Sequence, residues 1–146
     1  MGESMDIISN LLFWLHLTAL AMAGAATFGL PVVGSKMATA TAETRPLLFS
    51  IAEQLSTIAR AALAVLIVTG PLLIWLKFGG MAGFTWWFSL KMLLVIILLG
   101  SVIFAGIMMK RVKGGDRAAA GMLPRLGALN MVLLLGIVLS AVFAFN

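Results

Sequence analysis

His16, the single histidine of the chain, stands in NLLFWLHLTALAMAGAATFGL, a run of apolar and small residues that otherwise reads as plain membrane helix. An imidazole in such a place can ligate a metal, exchange a proton, or bond to a neighbouring helix. Lys91, in WWFSLKMLLVIILLG, is the second ionisable group inside an apolar run. Its ammonium either snorkels to the interface on its long stem or, kept inside, acts as a base or pairs with an acidic ligand. With no cysteine and no tyrosine present, disulfides, thiolate metal sites, cysteine nucleophiles and phenolic acids are excluded.

The residues around His16 bear on its role. Ala19, Ala23 and Gly24 follow it at helical spacing, with Ala25, Ala26 and Gly29 beyond. Small side chains let helices approach closely, and beside an imidazole the same surface could admit a flat macrocycle. Later in the chain, Arg125 and Asn130 occur in RLGALN, where headgroup anchoring and an interhelical hydrogen bond are their ordinary uses. Arg60 and Glu53 lie two helical turns apart on one face, which predicts a surface ion pair. The ten methionines include Met22, Met92, Met108, Met109, Met122 and Met131. Thioethers are soft ligands for copper(I), although these form no spaced motif and methionine also fills apolar cores.

Elements that could hold these groups follow from composition. A chain of 146 residues with 62% apolar and 10% charged residues and a mean hydropathy of +1.15 is not an ordinary soluble domain. About 20 apolar residues cross a membrane as a helix. Four spans are predicted, at about 8–33, 61–78, 86–109 and 126–145, giving an all-α four-helix membrane bundle as one domain. An amphipathic helical extension over about 46–60 precedes span two, started by Thr44-Arg-Pro. Gly70-Pro71 predicts a kink in span two. The sequence KRVKGGDRAAAGMLPR reads as a short basic turn before span four.

Eight of the ten basic residues lie in 34–60 and 110–125, so the positive-inside rule places both of these segments in the cytoplasm and both termini outside. Phe13, Trp14, Trp75, Phe78, Phe84, Trp86, Trp87, Phe143 and Phe145 then form an outer aromatic belt. MGESMD lacks the basic residues of a signal peptide, so the first span is expected to be retained. The net charge of +5 is accounted for by orientation in the membrane and membrane lipid, and no nucleic-acid partner is expected.

The early histidine of span one, the early lysine of span three, LKMLLVIILLGSVIFAGIMMKRVKGG and the closing RLGALNMVLLLGIVLSAVFAF together resemble the small four-helix membrane proteins of the HemJ type. Those are protoporphyrinogen oxidases of bacterial haem synthesis. The resemblance implies a bacterial inner-membrane protein binding haem b, with His16 at the family's first-helix histidine and Lys91 at its third-helix lysine. It places Arg125 and Asn130 at the arginine and asparagine opening the last helix. Met131 stands where HemJ-type proteins carry an acidic residue, and the tryptophan and arginine typical of their first helix and following loop are missing from AMAGAATFGLPVVG.

The leading expectation is thus a haem-b-binding membrane oxidoreductase acting on a porphyrinogen or similar reduced substrate and passing electrons toward a quinone acceptor. His16 would ligate iron; Lys91 would be proton acceptor, second axial ligand or propionate partner. Ala19, Ala23, Arg125 and Asn130 would complete the cofactor site. One imidazole per chain makes a homodimer the route to bis-imidazole ligation. Copper handling, as in the copper-resistance D membrane domains that share a histidine in a small-residue helix, is the alternative. An accessory subunit packed in a larger membrane complex is the third.

Overall fold

The computed structural model describes residues 2–77, 79–80 and 85–144. It is all-helical: α1 (Gly2–Ala38), α2 (Arg45–Lys77), α3 (Trp86–Lys113) and α4 (Arg117–Ala144). At 1.5 Å per residue, the 37 residues of α1 run about 55 Å and the 28 of α4 about 42 Å. Each helix is long and apolar enough to cross a membrane.

The helices alternate in direction. Lys77 at the end of α2 lies over the ring of Phe13 near the start of α1, 4.3 Å from its centre. Trp87 at the start of α3 stacks on Phe143 at the end of α4, with ring centres 4.9 Å apart. At the other end, a Cβ added to Gly127 of α4 would lie 3.6 Å from Pro31 of α1. Lys113 of α3 forms an ion pair there with Glu53 of α2. The bundle therefore has a terminal end, near both chain termini, and a basic end, where the α1–α2 and α3–α4 turns lie. α1 packs extensively on α2 and α3 on α4; α1 and α4 touch less, and the α2–α3 seam is the sparsest.

Small and hydroxylated residues occupy the inside. Ala19, Ala23 and Ala62 are buried together with Val65 and Leu66 packed against them, and Leu98, Leu133 and Ile137 join α3 to α4. Large apolar side chains such as Leu11, Ile96, Val132 and Leu135 point outward. An exterior of this kind is stable only when lipid or protein covers it. Phe13, Trp14, Trp75, Trp86, Trp87 and Phe143 are all exposed near the terminal end, as a belt requires. Phe78, Phe84 and Phe145 of the expected belt lie outside the described residues.

The helices overrun the expected spans, α1 reaching from Gly2 to Ala38 against 8–33 and α3 ending at Lys113 against 109, while the extension before span two is helical as expected. The extension at 46–60 and span two form one continuous helix from Arg45, and Pro71 sits inside it. The basic turn contracts to Gly114–Asp116, with α4 beginning at Arg117 and carrying Pro124 within it. The turn chemistry explains this. The amides of Gly115 and Asp116 bond the carbonyls of Val112 and Arg111 at 3.0 and 3.1 Å, and Gly115 takes φ +91°, the left-handed closure that glycine permits. Asp116 then caps α4 at once, Oδ1 accepting from the amides of Ala118 and Ala119 at 3.0 and 3.2 Å.

Candidate functional site

In antiparallel helices each step forward along one is a step back along its neighbour, so a few contacts fix every level. His16 faces Thr69 of α2, Gly24 of α1 faces Leu134 of α4, and Leu94 of α3 faces Gly136 of α4. On this register His16, Thr69, Lys91 and Ser140, one from each helix, fall within about one turn of the same level. Thr69 and Ser140 are 2% exposed, while His16 and Lys91 are half-buried. The register thus sets the two candidates His16 and Lys91 at a common depth in the bundle.

The hydrogen bonds assign the imidazole. His16 Nδ1 and Thr69 Oγ1 are 2.7 Å apart, and Thr69 Oγ1 is also 2.7 Å from the carbonyl oxygen of Val65. A hydroxyl has one proton, and a carbonyl can only accept. Thr69 therefore donates to Val65, and His16 Nδ1–H donates to Thr69. In the neutral ring the lone pair is then on Nε2, and among the described residues no hydrogen bond engages that nitrogen. Holding Nδ1–H so that Nε2 can coordinate is the usual outer-shell arrangement of a metal-ligating histidine. Gly70 leaves room at the ring edge, a Cβ there standing 3.8 Å from His16 Cε1. The donor set fits one axial imidazole.

The other expected residues are distributed differently. Ala19 and Ala23 are 4% and 8% exposed and are covered by Ala62, Val65 and Leu66. Their small side chains serve the α1–α2 contact, which removes them from the expected cofactor site. Arg125 is exposed toward the basic end. Asn130 belongs to a second polar level with Thr27, Ser56 and Ser101, again one from each helix; Thr27 lies eleven residues beyond His16, or about 16 Å. Glu53 pairs with Lys113, not with Arg60, which donates to Thr57 Oγ1 at 3.2 Å. Lys113 of α3 meets Glu53 across the α2–α3 seam, whereas Glu53 and Arg60 are about 10 Å apart along the axis of α2. Met22, Met92 and Met122 are exposed and Met108 is buried, so these four share no common environment.

Thr69 and Ser140 were missed in the sequence because single hydroxyls in apolar helices carry no motif. Only the register between helices groups them. The fold thus defines an all-helical bundle with four candidate membrane spans and a polar level of His16, Thr69, Lys91 and Ser140 in its terminal half. No family model, curated protein or solved structure matches the chain.

Proposed function

We propose that the chain is a four-span protein of a bacterial cytoplasmic membrane, with both termini outside, that binds haem b through His16 and acts as a HemJ-like oxidoreductase. The observation that carries this reading is the fixed imidazole: Nδ1–H held by Thr69, whose own proton is spent on Val65, with the Nε2 lone pair left for iron. The basic end supplies the orientation, since Lys36, Arg45, Lys110, Arg111, Lys113 and Arg117 flank its turns.

When bound, the haem would supply one-electron redox chemistry, its potential set by the axial ligand and burial. The chain's residues do the remaining work. His16 fixes the position of the group, Thr69 fixes the ring, and Lys91 supplies an amine that accepts a substrate proton or pairs with a propionate. The closely packed small residues of α1 and α2 keep water from this level. A porphyrinogen-type substrate would lose electrons toward a quinone and protons to such a base.

The test is an absorption spectrum of the purified protein and of His16→Ala. The wild type should show a Soret band with reducible b-type bands, and His16→Ala should insert normally yet lose them, because insertion depends on apolar length. Full haem content in His16→Ala would overturn the ligand assignment. Copper without haem in the wild type would favour metal handling instead.

A further inference from the structure

The second polar level surrounds a cavity of about 40 Å³ whose wall includes Thr27, Ser56, Val102, Ala105, Gly127 and Asn130. Asn130 lines this cavity, yet its Oδ1, like Ser101 Oγ beside the lining residue Val102, exposes almost no surface to water and has no hydrogen-bond partner among the described residues, so a small turn of either side chain is needed for water to reach it. An amide oxygen left so in an apolar bundle is costly, and it is normally satisfied by protein or by ordered water. A cavity of this size holds about two or three waters, since one needs roughly 10–15 Å³, and the hydroxyls of Thr27 and Ser56 give them further partners.

A second cavity, of about 120 Å³, lies toward the basic end and is lined by Glu53, Arg60, Gly106, Lys110 and Lys113 as well as by Ser56. Ser56 is thus a wall of both. Both cavities adjoin the α2–α3 seam, the most loosely packed in the bundle. Gly106 keeps this mouth wide: a Cβ there would stand 3.4 Å from a guanidinium nitrogen of Arg60.

We propose that these two cavities form one water-filled inlet, running from the basic end past Ser56 to Asn130 in the bundle interior. It brings water, and with it exchangeable protons, deep between otherwise apolar helices, on the opposite side of an apolar layer from His16 and Lys91. Three cations against one carboxylate make its mouth favour small anions. The inlet stands independently of any haem.

The natural chain has no cysteine, so single cysteines can report water directly. Ser56→Cys, Thr27→Cys and Ala105→Cys place near-isosteric or small thiols on the inlet. Phe28→Cys and Phe104→Cys are neighbours at matching depth on the outer surface, where those side chains are 42% and 38% exposed. In reconstituted membranes treated with small charged methanethiosulfonates, the three inlet thiols should label at least about tenfold faster than the two controls, because a thiol in hydrocarbon neither ionises nor meets the reagent. An anionic reagent should outpace a cationic one at Ser56→Cys by about fivefold. Adding Ser56→Leu to Thr27→Cys should stop labelling of the inner thiol. Equal rates at inlet and control positions would overturn the proposal, as would labelling of Ser56→Cys with Thr27→Cys and Ala105→Cys inert, or an inner thiol that still labels behind Ser56→Leu.

Discussion

Thr69→Val removes one oxygen and keeps the shape of the side chain, which makes it a direct probe of how His16 is held. Thr69 is 2% exposed and its hydroxyl receives Nδ1–H at 2.7 Å, so the variant leaves a donor unpaired without opening a cavity. Stranding a buried donor costs about 1–3 kcal/mol, and interhelical side-chain bonds in membranes reach at most about 1.7 kcal/mol, so a loss of about 1–2 kcal/mol is expected. Loss of an outer-shell partner weakens metal binding by about 10- to 100-fold, or roughly 1.4–2.7 kcal/mol, which overlaps that range. Haem titrated into the detergent-solubilised apo-protein, followed at the Soret band, should therefore show a Kd raised about 10- to 100-fold in Thr69→Val, while Thr69→Ser binds like the wild type. Because the chain has one histidine, nitrogen NMR of a histidine-labelled sample reads this ring alone, and the apo wild type should carry its proton on Nδ1. Wild-type affinity in Thr69→Val with the ring tautomer unchanged would refute the reasoning.

Three further outcomes follow from the same structure. A reporter at Gly115 should lie in the cytoplasm and one fused to the C-terminus outside; the reverse, read by accessibility labelling, would overturn the use of the basic end for orientation. Lys91→Met and Lys91→Arg should both insert yet alter the haem spectrum or turnover, since a permanently charged planar guanidinium does not replace a deprotonatable amine. A Lys91→Arg protein with wild-type spectrum and turnover would reduce Lys91 to a snorkelling anchor. Asp116→Ala, which removes the cap accepting from Ala118 and Ala119, should lower stability by about 0.5–2 kcal/mol in thermal unfolding and leave the absorption spectrum unchanged.

Apolar length determined the four helices in advance, because a backbone in lipid has no alternative to its own hydrogen bonds. The anomalies His16 and Lys91 were equally plain, since ionisable groups stand out against apolar neighbours at any register. Helix ends were less legible. The start of α4 was misplaced because Pro124 looks like a boundary, whereas Gly115 and Asp116 close one helix and cap the next within three residues. Side-chain pairing was not legible at all. Glu53 finds Lys113 across the α2–α3 seam and not Arg60 on its own helix, and Ala19 and Ala23 face α2 because the small-residue stripe lets the two helices approach. The two polar levels exist only in the bundle. Thr69 lies 53 residues from His16 in the chain, and Asn130 lies on the last helix while Thr27 lies on the first. Local sequence sets which way a side chain leaves its own helix; the sliding and rotation of one helix against another, fixed by packing over their whole length, decide what it meets.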